Sequence, residues 1–180
     1  LFKRELRLSR ADYEIYRVRV GEARANLTYD RGLMFLSTLP GGVDVAFEVV
    51  SGNGIPSGSF DKDNKKNFAL RLSRQFGQAR IGFFGYLGKE EAGASSASDE
   101  VRYLGPDVTL SFGDRWELNA EYLERRDDNP LFLARGATEF TTRGGFAELL
   151  FFPQGSVGKW SVAALYNRVD STDPAAVRDD

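Results

Sequence analysis

Val43-Asp44-Val45-Ala46-Phe47-Glu48-Val49 alternates without a break, its odd positions apolar and its even positions small or acidic. A repeat of two is that of a β-strand, so a strand here sets Val43, Val45, Phe47 and Val49 on one face and Asp44, Ala46 and Glu48 on the other. One face suits lipid and the other suits water. The same rule runs outward along the chain: Phe68, Leu70 and Leu72 oppose Ala69, Arg71 and Ser73, and Ile81 and Phe83 oppose Arg80 and Gly82. Further on, Val108, Leu110 and Phe112 oppose Asp107, Thr109 and Ser111, while Trp116, Leu118, Ala120 and Tyr122 oppose Glu117, Asn119 and Glu121. Each run has roughly 10 residues, the length of a tilted strand that crosses a hydrocarbon layer.

The connections between the runs are of two kinds. Short ones lie at Leu39-Pro40-Gly41-Gly42, Gly77-Gln78, Gly113-Asp114 and, slightly longer, residues 153–159; long polar ones cover 51–66, 89–100 and 127–138. Short turns at one end and long loops at the other are the ground plan of a transmembrane antiparallel β-barrel. The aromatic residues follow the same axis. Phe76, Phe112, Trp116, Phe151, Phe152 and Trp160 sit beside the short turns, and Tyr86, Tyr103, Tyr122 and Tyr166 sit toward the long-loop ends, as two interfacial girdles would require. A soluble β-sandwich or lipocalin-like barrel also alternates and also uses aromatics as core. Against it stand Arg71, Arg80, Asp44, Glu48, Glu117 and Glu121, too many charges for a packed interior and well suited to a wet lumen.

Composition excludes several functions. The 180 residues hold 24 Lys plus Arg and 26 Asp plus Glu, a net charge of -2, so no global field points to nucleic acid. No stretch approaches the roughly 20 apolar residues of a membrane helix. A mean hydropathy of -0.37 does not argue against a membrane, because alternating strands carry a weak hydropathy signal. Cysteine and histidine are both absent, which removes disulfides, thiolate metal sites, haem ligation by histidine and Ser-His-Asp hydrolysis from this chain. No cofactor and no catalytic group is expected.

From Gly32 on, alternation counts about eight strands; residues 13–21 read as one more and residues 1–8 as another. Eight alone would make a small closed barrel. The additional strands at the N-terminus, and a polar stretch at 171–180 with no closing aromatic, point instead to one β-barrel domain over 1–180 that is incomplete at both ends.

At residues 16–54 the chain resembles a known family. Tyr16-Arg17-Val18-Arg19-Val20-Gly21, then Leu27-Thr28-Tyr29-Asp30-Arg31-Gly32, then the strand from Val43 into Gly52-Asn53-Gly54, is similar to bacterial outer-membrane porins of the phosphate- and pyrophosphate-selective type. Phe60-Asp61-Lys62-Asp63-Asn64 and Phe68-Ala69-Leu70-Arg71-Leu72 look like that family's next loop and strand. The likeness spans roughly residues 13–130 and extends to porin-like barrels associated with multihaem cytochromes. What it implies is a water-filled channel of about 14 to 18 strands in the outer membrane of a Gram-negative-type bacterium, often a homotrimer.

Several stretches admit other chemistry. Gly52-Asn53-Gly54 with Gly58 has the look of a phosphate-cradling loop but lacks the helix N-terminus that such a loop feeds. Asp61, Asp63 and Asn64 are candidate calcium ligands without the glycine and terminal glutamate of an EF-hand, and a solvated loop accounts for them. Glu117 and Glu121 share a face, as a glycosidase pair would, though nothing signals a cleft. The candidate pore-lining residues are Arg17, Arg19, Arg71 and Arg80 on one side and Asp44, Glu48, Asp107, Glu117, Glu121 and Glu148 on the other. Guanidinium groups lining a constriction favour anions. Alternatively the charges only hydrate the lumen and pair across strands. Residues 24–31 are the candidate for a segment folded into the pore.

Two functions stay open. One is passive diffusion of small polar or anionic solutes through a channel. The other is a non-catalytic scaffold or sheath for a partner, such as a multihaem cytochrome or a surface assembly. What fills the lumen separates them.

Overall fold

The structure, a computed structural model, describes residues 12–25, 27–52, 65–91, 97–155 and 158–173. A single helical turn, α1 (Glu14–Arg17), precedes eight strands: β1 (Gly32–Leu39), β2 (Val43–Val50), β3 (Asn67–Phe76), β4 (Ala79–Glu91), β5 (Ser98–Phe112), β6 (Trp116–Asp127), β7 (Phe140–Phe151) and β8 (Val162–Ser171). They form one sheet in chain order, and each strand pairs antiparallel with the next. The chain is all-β, as the alternation predicts. The sheet is open: β1 and β8 are its edges, and among the described residues neither has a second neighbour.

Tight turns fall at alternate connections and therefore at one end of the sheet. Gly77, with φ 58, takes the first central position of the two-residue turn between β3 and β4, the conformation that a type II′ hairpin asks of glycine. Pro40-Gly41-Gly42 joins β1 to β2, closed by the Gly42 N–H donating to the Leu39 carbonyl at 3.1 Å. The connection from β7 to β8 occupies 152–161, longer than the sequence suggests.

Two expectations need correction. The stretches 89–91 and 98–100 are strand and not loop, because β4 and β5 extend until Lys89, Glu90 and Glu91 face Glu100, Asp99 and Ser98. Their charges resemble loop chemistry, yet alternate charges face opposite sides and the ladder continues beneath them. Residues 13–21 are likewise not a strand. Tyr13 and Tyr16 are both buried, and a strand would send two residues three apart to opposite faces, whereas a helical turn brings them to one side. The expected strand at residues 1–8 lies outside the described residues.

The two faces of the sheet invert the usual order of a water-soluble fold. In β3, Phe68, Leu70 and Leu72 are exposed while Ala69, Arg71 and Ser73 are buried. In β6, Glu117, Asn119, Glu121, Arg125 and Asp127 are buried between outward Trp116, Leu118, Ala120 and Tyr122. What buries the polar face is the chain before β1. Tyr13, Ile15, Tyr16 and Ala25 pack there against Ala69, Tyr86, Val101, Tyr103, Leu123 and Phe146, and this is the hydrophobic core.

Candidate functional site

The inner, polar face gathers most of the residues singled out from the sequence. Asp44, Glu48, Arg71, Arg80, Asp107, Glu117, Glu121 and Glu148 all lie on it, brought together by seven consecutive ladders in one register. Arg17 and Arg19 do not belong to the wall. They are exposed positions in and just after α1, on the segment laid across the inner face. Asp61 and Asp63 lie outside the described residues.

The wall arginines are neutralised locally. Arg71 donates from Nε and Nη2 to the two oxygens of Asp107, at 2.8 and 2.6 Å, and both side chains are almost wholly buried. This bidentate geometry is the strongest an arginine offers a carboxylate. Gly82, directly opposite Asp107, leaves the space: a Cβ there would meet the carboxylate at 2.5 Å. Arg80 reaches Asp44 at 2.7 Å, and Arg71 and Arg80 both donate to the Ser73 hydroxyl at 3.3 Å. These groups border a groove of about 410 Å³ between β1 and β4, floored by Ala46 and walled by Leu36, Thr38 and Asp44. Cross-strand pairing thus absorbs much of the positive potential expected of Arg71 and Arg80.

Across the sheet the polar groups form a connected network. Thr109 donates to the Asn119 side-chain oxygen at 2.8 Å, and the Asn119 amide donates to Glu117 and Glu148 at 3.2 Å each. The other Glu148 oxygen accepts from the Tyr13 hydroxyl at 2.8 Å, and Glu121 accepts from Tyr16 at 2.9 Å. Burial, and then the bond to Glu148, raises the Tyr13 phenol, so it stays a donor. Two tyrosines of the N-terminal segment thereby tether it to carboxylates of the wall. Residues 13–25 and Leu27 belong to the segment folded onto the inner face, which begins well before the expected 24–31.

Arg125 was not legible as a site residue. It is fully buried and donates to Asp127, to the Tyr103 hydroxyl at 2.8 Å, and to the main-chain carbonyls of Val18 and Ala25 at 2.8 and 3.1 Å. One guanidinium group thus joins β5, β6 and two points of the inward segment, Val18 and Ala25. The signal is parity: Arg125 shares the odd positions of Glu117 and Glu121, but the alternation read from the sequence stops at Tyr122, three residues short of it. Tyr86 and Tyr103 also depart from expectation. Both are buried on the inner face, where Tyr86 accepts from Asn67 at 2.7 Å, so only Tyr122 and Tyr166 of the four face outward at that end.

Counting the inner positions of β2 to β7, nine carboxylates face three guanidinium groups, those of Arg71, Arg80 and Arg125. The described wall is acid-rich. Among the described residues no three acidic side chains converge as a metal cage. Compared with protein-family models, with curated proteins and with solved structures, the chain matches none of them.

Proposed function

We propose that this chain forms part of the wall of an outer-membrane β-barrel through which small polar solutes diffuse passively, without catalysis. The observation that carries the reading is the inversion of the sheet. Apolar side chains are exposed on the outer face, whereas the inner face holds an acid-rich, hydrogen-bonded polar network. An apolar surface of this extent is foreign to a monomer in water. Its height also suits a bilayer. Outward apolar positions of β5 run from Leu104 to Phe112, about 27 Å of strand, which at a tilt of about 40° gives a band near 21 Å, against roughly 25 Å for such barrels. Beyond the band, the outward positions become Arg102, Glu124, Arg126, Arg143 and Arg168, which pair with one another or with neighbouring acids. At the other end Phe76, Phe112, Trp116 and Trp160 are exposed, and Trp116 stacks on Phe151 with centroids 4.2 Å apart. An open arc of eight strands accords with a larger barrel.

The acid-rich wall shifts the expected selectivity. Each wall arginine near the groove holds a carboxylate, so the pair favours anions far less than isolated guanidinium groups would. The test is planar-bilayer recording from the full-length protein. It conducts, and Arg71→Ala with Arg80→Ala moves the reversal potential in a salt gradient toward cations, because Asp107 and Asp44 lose their counter-ions. A protein that inserts but passes no ions overturns the channel. A reversal potential indifferent to the double substitution removes these residues from the lumen.

A further inference from the structure

We propose that Glu90 and Asp99 form a divalent-cation site, taking Ca²⁺ or Mg²⁺, that clamps the inward segment at the long-loop end of the sheet. The two residues are direct cross-strand partners at the ends of β4 and β5, and both are more than nine-tenths buried on the inner face. Like charges set directly opposite one another repel, and a buried carboxylate without a counter-charge is costly. Each has one oxygen satisfied by main chain. Glu90 Oε2 accepts from the Arg24 N–H at 2.9 Å, and Asp99 Oδ1 accepts from the Asn129 N–H at 2.7 Å. The other oxygen of each, Glu90 Oε1 and Asp99 Oδ2, is buried and accepts no hydrogen bond from the protein.

Among the described residues no side-chain cation is hydrogen-bonded to the pair, and Arg125 acts on it only through its field. Arg125 directs its hydrogen bonds to Asp127, Tyr103, Val18 and Ala25, while Lys65 and Lys89 pair with Glu91 and Glu100, which point to the opposite face. Two carboxylates with two unsatisfied, buried oxygens are the hard, anionic donor set that Ca²⁺ and Mg²⁺ take. Main-chain carbonyls and water complete the coordination, and so small a ligand charge places the affinity on the order of the millimolar range of extracellular calcium modules.

The consequence is mechanical. The satisfied oxygens already hold Arg24 of the inward segment and Asn129 of the loop after β6, and Glu22 N–H donates to the Pro130 carbonyl at 2.8 Å beside them. A cation between Glu90 and Asp99 removes the repulsion that would pry these elements apart. The site stands whether or not the barrel conducts.

The experiment uses full-length protein folded in detergent, stripped with EDTA and returned to CaCl2 or MgCl2. Two readouts are followed: bound calcium by equilibrium dialysis, and the rate of tryptic cleavage at Arg19 and Arg24 by mass spectrometry. At calcium ten times above its dissociation constant, cleavage slows roughly tenfold if it requires the unclamped state. Glu90→Gln with Asp99→Asn loses one bound calcium and the calcium dependence of cleavage; Asp99→Asn alone is the milder variant if the double one does not fold, with folding checked by heat-modifiable migration. Calcium binding and cleavage unchanged by the substitutions overturn the site. Protection that follows acidification in EDTA and ignores the cation also overturns it, since the pair then shares protons instead.

Discussion

Arg125 and Arg126 are neighbours in sequence and opposites in energetics. Arg125 is fully buried among four acceptor groups, whereas Arg126 is half-exposed and bonded to the partly exposed Glu124 at 2.7 Å. Removing the first strands the Asp127 carboxylate, the Tyr103 hydroxyl and two carbonyls away from water. Arg125→Met is therefore expected to cost about 3 to 5 kcal/mol in a reversible folding titration, and Arg126→Ala under about 1 kcal/mol. Equal costs for the two would mean that Arg125 is not buried in the folded protein. The strand alternation separates these residues only once the strand is known to continue past Tyr122. The charged composition of 124–128 conceals that continuation.

At the scale of the element, β6 carries the whole argument about solvent. Its outward side runs Trp116, Leu118, Ala120, Tyr122, Glu124, Arg126, from aromatic through apolar to charged, while its inward side is polar or charged except at Leu123. Leu118→Arg places a charge at mid-height of the apolar band and is expected to cost about 2 to 4 kcal/mol of folding stability in lipid; Arg at the charged end costs about 0 to 1. A flat profile along β6 would argue for water on that face. The inward segment makes a different prediction. Its docking rests on two tyrosine hydroxyls donating to Glu148 and Glu121, with a buried aromatic cluster in which Tyr13 and Phe146 lie 4.1 Å apart. Tyr13→Phe with Tyr16→Phe keeps the rings and deletes both bonds, each worth about 1.5 to 3 kcal/mol as a hydrogen bond to a charged group. The segment then leaves the wall more often, and under the proposed channel function single-channel conductance becomes larger or noisier than in the unaltered protein. Conductance traces identical to those of the unaltered protein would show that the segment does not narrow the path.

For the whole molecule, the open edges matter most. β1 is exposed along its full length on both faces, with Leu33 and Phe35 on one and Met34 and Leu36 on the other, and an apolar edge of eight residues that no described strand pairs is a template for another strand. The all-β class, the placing of the strands between the turns, and the end at which the tight turns lie all follow from period-two alternation and glycine placement in this sequence, because both act within a few residues of chain; the extended ends of β4 and β5 do not. So does the assignment of Arg71, Asp107, Glu117, Glu121 and Glu148 to one face, since parity within a strand is local and register carries it to the neighbours. Which charge meets which, and what covers them, depends instead on how the strands and the inward segment come together. Arg71 found Asp107 on a strand 36 residues later, Tyr13 found Glu148 across 135 residues, and residues 13–21, which alternate well enough for a strand, are interrupted by the helical turn Glu14–Arg17 because packing both tyrosines on one wall outweighs a local preference. Partnerships of that reach depend on strand order and docking, which no short window of sequence contains.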